Sequence, residues 1–330
     1  IFIHELGHFL AAKAFGLYVE EFGFGFPPQL VSKKIGETRY SINLLPFGGF
    51  VKIFGERSDV SLMGSDAGAI PPERSFANQN AVRRAIVIGA GVVMNVLLGW
   101  ILISSLFVIG AEGSVVVTAI SPNSPAEEVG RVAGDRLIDF KTSAEFIAFI
   151  DASRGKEITL QVGRGSETLT VTATPDVTPP ADRGALGVGI TESGIPKLGF
   201  FTALREGFTS TFQILWAILK SLGVLIVGIF TGADVLKNFV GPVGIVQVAG
   251  ETAKVGMIYL WQLIALISLN LAVLNILPFP ALDGGRLFFI LIEKLKGSPI
   301  SPKKEMIANA IGFGLLLLLM VVITVRDVVR

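Results

Sequence analysis

The sequence predicts a polytopic α-helical membrane protein with about four spans, a membrane-associated β-hairpin region and an inserted α+β domain. Of its 330 residues, 51% are hydrophobic and 17% are charged, and the mean hydropathy is +0.65. Soluble domains contain about 25% charged residues, so the composition alone indicates a membrane protein. Several apolar stretches also have the length of a span, about 20 residues. The net charge of +1 favours neither nucleic acid nor an acidic partner.

The first residues predict a helix that carries His4-Glu5-Leu6-Gly7-His8. This stretch is short for a span, so we expect the first span to be truncated in this sequence. Residues four apart lie on one helix face, and two imidazoles at that spacing can bind a tetrahedral zinc ion, with Glu5 in reach of a bound water. The alternative is two structural histidines. The chain has 2 His and both lie in this motif, which favours the metal.

Residues 20–55 are rich in glycine and aromatic residues and contain short alternating runs bounded by Gly and Pro. Such a pattern predicts β-hairpins. Because the region is too apolar for an ordinary loop, we expect it to dip into the bilayer beside the first helix, with its backbone paired internally. The alternative is a small soluble pair of hairpins.

The stretch from Ala85 to Ala111 contains no charged residue and predicts a transmembrane helix. Gly89, Gly91 and Gly99 allow close helix packing. Asn95 lies in the interior of this span. It either supports a functional site or forms a hydrogen bond with a neighbouring helix, and we favour the second role.

Residues 113–176 change in character, with strand-like runs at 115–118, 157–162 and 168–173. Ser124-Pro125-Ala126 reads as a helix start and Gly134-Asp135 as a turn into a strand. These two signatures resemble those of a bacterial PDZ domain. PDZ domains bind an extended peptide at a sheet edge, so the resemblance implies a peptide C-terminus as a partner. The alternative is a spacer that only limits access.

The C-terminal half contains two further predicted spans. The stretch from Val255 to Leu282 has no charged residue, and the last span is Met306 to Val325. An apolar run at 207–232 has Lys220 at its middle. The predicted organisation is a membrane core of residues 1–111 and 255–330, a PDZ-like domain of 113–176, and a linker with an amphipathic or interfacial helix at 177–254.

Asp283 is the best candidate for a third zinc ligand. A catalytic zinc site takes three protein ligands and leaves one position for water, and without a third His or any Cys the ligand has to be a carboxylate. Apart from Glu5, Asp283 is the acid that lies within or directly ends an apolar span, and ionisable groups at membrane depth are functional candidates. Pro278 and Pro280 break the helix just before it. The alternative role is an N-cap of the following helix.

Together, these motifs closely resemble the site-2 protease family. They are HELGH, Gly-Phe-Gly-Phe-Pro, Leu-Pro-Phe-Gly-Gly-Phe, the PDZ-like insert and Asn-x-x-Pro-x-Pro-x-Leu-Asp-Gly-Gly. The bacterial regulator-of-sigma-E type of zinc intramembrane protease fits best, over nearly the whole chain. The resemblance implies that Zn²⁺ is bound by His4, His8 and Asp283, and that Glu5 is the catalytic base. It further implies that substrate is held by Asn275 and by the strand Leu45–Ile53, which includes Gly48, Gly49 and Phe50.

Topology provides an independent check. HELGH and Asp283 both lie at the exit ends of their spans, so the two spans have to run in the same direction to meet. For this reason an interfacial helix at 207–232 is favoured over a single span. Short basic loops beside both motifs place the site near the cytoplasmic side of a bacterial inner membrane, with the PDZ-like domain outside.

The expected function is therefore peptide-bond hydrolysis inside the lipid bilayer, on a single-span membrane protein such as an anti-sigma factor or a remnant signal peptide. No nucleic-acid partner is expected. One rival is a non-proteolytic membrane scaffold that binds exported protein tails through its PDZ-like domain. The other is a zinc transporter or sensor that uses the same ligands without hydrolysis.

Overall fold

The protein is described from a computed structural model. It describes residues 1–56, 70–130, 134–164, 167–180, 183–231, 241, 244–245, 248–250, 257–298 and 300–329. In these ranges the elements are, in chain order, α1 (Phe2–Ala14), β1 (Val19–Ile35), β2 (Thr38–Ile53), α2 (Ala81–Ile109), β3 (Ala111–Ile120), α3 (Pro125–Glu128), β4 (Arg136–Leu137), α4 (Ser143–Ala152), β5 (Ile158–Arg164), β6 (Glu167–Ala173), β7 (Val188–Ile195), α5 (Phe200–Thr231), α6 (Met257–Ile276), α7 (Asp283–Lys296) and α8 (Pro302–Val329).

The chain divides into two compact units. The first consists of Ile1–Ile103, Gly207–Gly250 and Gln262–Arg330, and the second of Ser104–Glu206 and Glu251–Trp261.

Four helices are long and apolar enough to cross a membrane, by length and composition: Ala81–Ile109, Phe200–Leu225, Met257–Ile276 and Pro302–Val325. This confirms the prediction of a polytopic membrane protein. The second of these lies in α5, for which the sequence favoured an interfacial position. Whether α5 lies along the interface or spans the bilayer stays a prediction, and residues 232–240, which follow it, lie outside the described part of the chain.

In the first unit, α1 packs closely against α2. Gly7 faces α2 so tightly that an added Cβ would meet the Ala90 carbonyl group and would lie 2.8 Å from Met94 Cγ. A shared apolar cluster surrounds this contact and includes Ala12, Leu17, Val19, Ile53, Phe76, Val87, Ile88 and Ile290. The helix that carries the paired histidines is therefore fixed against α2, the sheet and α7.

Strands β1 and β2 confirm the predicted β-hairpin region, but they pair twice. Residues 29–35 pair with 38–43 across the turn at Gly36 and Glu37. Residues 19–24 pair with 49–53 in an antiparallel register, while 21–24 also run beside 39–42 in a parallel register. Residues 49–53 consequently form an outer edge, and no strand among the described residues pairs with their free side.

The two faces of this sheet differ in polarity. On one face, Phe22 packs against Phe2 and Phe9 of α1, with ring centroids 5.3 and 4.9 Å apart. On the other face, Glu21 accepts a 2.5 Å hydrogen bond from Ser41 and forms a 3.1 Å ion pair with Lys52. Because side chains alternate between the faces of a strand, one face is available to the membrane helices and the other to polar surroundings.

The second unit is an α+β domain with a five-stranded sheet of order β6-β5-β4-β3-β7. Its core is apolar and includes Val115, Val117, Leu137, Phe146, Leu160 and Val162. Ser124 caps α3 by accepting a hydrogen bond from the Glu127 amide, as the Ser-Pro-Ala signature predicted. The buried carboxylate of Asp135 accepts two hydrogen bonds from Arg164, at 2.7 and 2.8 Å.

The sheet extends beyond the predicted domain boundary at residue 176. Strand β7 pairs with β3 in an antiparallel register, in which Ala111 lies opposite Ile195 and Ile120 lies opposite Val188. The sequence had assigned residues 177–254 to a linker with a helix. That assignment is wrong for β7. The segment contains two glycines and a short, weak alternation, so its strand character depends on pairing with β3 rather than on its own residues.

Candidate metal centre and active site

His4 and His8 lie on one buried face of α1, as their spacing predicts. Their ring centroids are 4.7 Å apart and the rings are nearly perpendicular. Both residues are less than 10% exposed, at 6% and 8%. Two imidazoles are thus held side by side within the protein interior of the first unit.

Asp283 joins the histidines from the other end of the chain. Its Oδ2 lies 2.8 Å from His4 Nε2 and 3.4 Å from His8 Nε2, and the two Nε2 atoms are 3.2 Å apart. A tetrahedral zinc ion with bonds of about 2.0–2.1 Å places its ligand atoms about 3.3 Å from one another. In the described part of the chain, these residues form the group of His, Cys, Asp and Glu side chains able to hold a metal ion.

The hydrogen bonds of the three residues also fit a metal. His8 Nδ1 lies 2.8 Å from the Val87 carbonyl oxygen and donates its proton to it, so His8 Nε2 keeps a free lone pair. Asp283 Oδ2 is buried without a hydrogen-bond partner. His4 Nε2 lies 2.8 Å from the same oxygen. Three electron-pair donors therefore face one point, which a cation satisfies.

Local backbone structure turns Asp283 toward this point. The chain breaks after α6, where Ala281 adopts a positive φ of 76°, and α7 starts directly at Asp283. The N-cap of α7 is Leu282, without a side-chain cap. The alternative role of Asp283 as an N-cap is therefore wrong. Gly284 packs on the Ile276 and Leu277 carbonyl groups so closely that a Cβ would not fit.

Asn95 of α2 contacts His4. Support of a functional site was the less favoured of the two roles that the sequence suggested for Asn95. Its amide lies 3.3 Å from His4 Nδ1, and Asn95 is 1% exposed. The atom at this distance is Asn95 Nδ2. Ligation through Nε2 leaves the proton on His4 Nδ1, and a 180° turn of the Asn95 amide then presents Oδ1 as its acceptor. Its backbone oxygen also accepts a 2.9 Å hydrogen bond from Ser268 of α6. Asn95 thus contacts both the histidine and a neighbouring helix.

Gly91 is a site residue that sequence analysis noted only for helix packing. A Cβ there would lie 2.5 Å from His8 Nε2 and 2.7 Å from His4 Cε1. The glycine leaves space for both rings. The signal in the sequence was a glycine in the second predicted span, but nothing local indicated that it faces residues more than 80 positions earlier.

Glu5 lies outside the three-residue cluster and beside the sheet edge. A Cβ added at Gly49 of β2 would lie 3.6 Å from Glu5 Cγ and 3.4 Å from the Phe2 ring. The predicted base and the predicted substrate strand are therefore neighbours. The edge strand comes close because Gly49 has no side chain.

The other predicted substrate residues are placed differently. Asn275 at the end of α6 directs its amide nitrogen to within 3.3 Å of His4 Nε2, so it lies at the metal centre itself. Gly48 lies against Ile1. Phe50 lies opposite Gly23, and the Lys52 ammonium nitrogen lies 5.3 Å from the centroid of the Phe50 ring. Of the edge residues, Gly49 is thus the one placed beside Glu5.

A helical membrane core with a convergent His, His and Asp cluster fits an integral-membrane zinc protein, and the integral-membrane metalloproteases are one class of these. The model of peptidase family M50 matches residues 1–319. The chain therefore belongs to this family, the site-2 proteases, and is a zinc metalloprotease of a multi-pass membrane type.

Bacterial relatives cover the whole chain. A predicted zinc metalloprotease of Clostridium perfringens is 35% identical over 100% of this chain and 95% of that protein. The regulator of sigma-W protease RasP of Bacillus subtilis is 29% identical, over 100% and 96%. The zinc metalloprotease RasP of Geobacillus kaustophilus is 30% identical, over 99% and 94%.

Proposed function

We propose that this metalloprotease is an intramembrane endopeptidase that cleaves a membrane-spanning segment of its substrate. The observation that carries the proposal is the convergence of His4, His8 and Asp283 at one buried point of a membrane core. Both histidines lie against Gly91 of α2, a helix that is long and apolar enough to cross a membrane. Buried ligands beside such a helix suit a peptide bond that is itself buried in lipid.

In this proposal, His4, His8 and Asp283 bind the zinc ion and Glu5 is the catalytic base. Zinc bound there supplies the Lewis acidity that polarises a peptide carbonyl and lowers the pKa of water from about 15.7 to about 7. Glu5 accepts the proton of the attacking water and passes it to the nitrogen of the leaving amine. Asn275 orients the scissile carbonyl in this proposal, which its amide nitrogen, 3.3 Å from His4 Nε2, supports.

The outer edge at residues 49–53 receives the substrate as an added strand. A helical substrate has its backbone groups paired internally, so it has to unwind before a peptide bond reaches the site. An unpaired edge offers new partners for those groups. The proposal is supported by the position of Gly49, where an added Cβ would lie 3.6 Å from Glu5 Cγ.

The second unit acts as a PDZ-like domain on the extracytoplasmic side, while the zinc site lies near the cytoplasmic side of the inner membrane. The sheet order and the N-cap at Ser124 support the PDZ-like assignment. Its peptide ligand would be an exposed C-terminus. Anti-sigma factors and remnant signal peptides are the substrate classes that we propose, because both are single-span or short membrane segments.

The test is cleavage of a single-span peptide by the purified chain in lipid vesicles. We expect the wild-type protein to cleave within the span and Glu5→Gln to lose nearly all activity while it retains zinc. Full activity of Glu5→Gln would contradict the assignment of the base. A wild-type protein that binds zinc but cleaves no membrane peptide would favour a scaffold, transporter or sensor.

A further inference from the structure

Helix α7 carries Asp283 at its first position and packs along one face against other elements of the first unit. The residues that share this face with Asp283 follow it by three, four, seven and ten positions and are Arg286, Leu287, Ile290 and Glu293. Leu287 and Ile290 pack against the apolar cluster that also contains α1 and α2 residues. Arg286 and Glu293, on the same face, each form an ion pair with another element.

The two ion pairs lie at different distances from the proposed zinc ligand. Arg286 pairs with Glu56, which follows β2, about 4.5 Å along the helix axis from Asp283. Glu293 pairs with Arg84 of α2 at 2.6 Å, about 15 Å along the axis. One pair is thus next to the ligand, and the other holds the far end of the helix.

Glu56 stands on a fixed piece of backbone. Its amide donates a 3.1 Å hydrogen bond to the Ile53 carbonyl oxygen at the end of β2, and the Phe76 amide donates a 2.8 Å bond to Phe54. The Arg286 guanidinium also lies 5.8 Å from the Phe76 ring centroid, within range of a cation–π contact. The start of α7 is therefore tied to the end of the strand that forms the sheet edge.

We propose that Arg286 and Glu56 are a positioning pair, which holds Asp283 at bonding distance from the two histidines and so sets the zinc affinity. This inference rests on the proposed role of Asp283 as a ligand. The Arg286 and Glu56 side chains are 24% and 16% exposed, so solvent screens the pair less than a surface pair. Loss of either partner leaves the other charge partly buried and frees the start of α7 to shift.

The experiment measures zinc affinity by chelator competition on the full chain in detergent micelles, together with the thermal unfolding midpoint of the zinc-free protein. We expect Glu56→Gln and Arg286→Gln each to weaken zinc binding at least about tenfold, as outer-shell partners of metal ligands typically do. The double variant should lose no more than either single variant, because both changes break one interaction. Arg286→Lys should recover part of the affinity.

Arg84→Gln and Glu293→Gln are the matched controls on the same helix. They remove an equivalent ion pair far from Asp283 and should change zinc affinity by less than about threefold. Unchanged affinity in Glu56→Gln, or an equal loss in the controls, would overturn the positioning role. If Arg286→Gln fails to fold, the zinc affinities of Glu56→Gln and Arg286→Lys still test the positioning role. If Asp283→Asn binds zinc as tightly as the wild-type protein, the proposed zinc site itself is wrong. That result differs from a failure of the positioning role alone, in which Asp283→Asn still loses zinc.

Discussion

Gly91 lies against both histidine rings, where no larger residue fits without displacing them. We predict that Gly91→Ala lowers zinc affinity and proteolytic activity by about tenfold or more, because its methyl group would occupy the space beside His8 Nε2. Zinc content after dialysis and cleavage of a membrane peptide measure the two effects.

Gly89 provides the control on the same helix. A Cβ at that position meets nothing within 4 Å, so Gly89→Ala should retain both zinc and activity. Equal behaviour of the two variants would show that the close contact at Gly91 is not required.

Asn95 is predicted to hold His4 in the tautomer that ligates through Nε2. Its substitution by Ala removes the partner of His4 Nδ1 and should weaken zinc binding by about 10–100-fold. The control is Asn270→Ala in α6, whose amide donates a 2.9 Å hydrogen bond to Leu266 of its own helix. Wild-type zinc affinity in Asn95→Ala, measured by chelator competition, would contradict this role.

At the scale of elements, the sheet edge is the part of the fold that binds substrate in this account. A proline scan over residues 49–52 should give an alternating result. Successive N–H groups of a strand point to opposite sides, so proline removes a bond to β1 at one position and an outward donor at the next. We expect slow cleavage with unchanged stability and zinc content at the outward positions. Normal cleavage at every stable variant would exclude strand addition.

The tip of the same sheet is tied to α1 by Glu37, which accepts hydrogen bonds from Lys13 at 2.6 Å and Arg74 at 2.7 Å. These bonds hold the pKa of Glu37 below its ordinary value of 4.5. A lowered pKa stabilises the folded protein above that ordinary value, and the contribution is lost as the pH falls below it.

Glu37→Gln should therefore lower the free energy of unfolding at neutral pH by less than about 1 kcal/mol, since all three side chains are about one-third exposed. The difference in thermal midpoint between wild type and variant should shrink as the pH falls below 4.5. A difference that grows on acidification would contradict the sign.

The elements that sequence could predict are those whose pattern is local. Apolar runs predicted α2, α6 and α8, and the five-residue histidine motif predicted the face of α1. The sequence did not predict strand β7 or the parallel pairing of 21–24 with 39–42, because both depend on partners that are distant in sequence. Two local signals conflict in α5, because its length suits a span while Lys220 at its middle favours the interface.

At the scale of the whole molecule, the site combines residues from both ends of the chain. Asp283 could be predicted because few acids lie in or at apolar spans. The contacts of Asn95 and Gly91 with the histidines could not, since the rotation of α2 about its axis is set by packing on α1 at Gly7. The glycine and the amide are visible in the sequence, but the direction in which they point is not.

The most direct test is anomalous diffraction at the zinc edge from crystals of the zinc-loaded protein. The account predicts one peak about 2.0–2.2 Å from His4 Nε2, His8 Nε2 and an Asp283 carboxylate oxygen. A peak elsewhere, or an Asp283 carboxylate that stays beyond bonding distance of the ion, would contradict it.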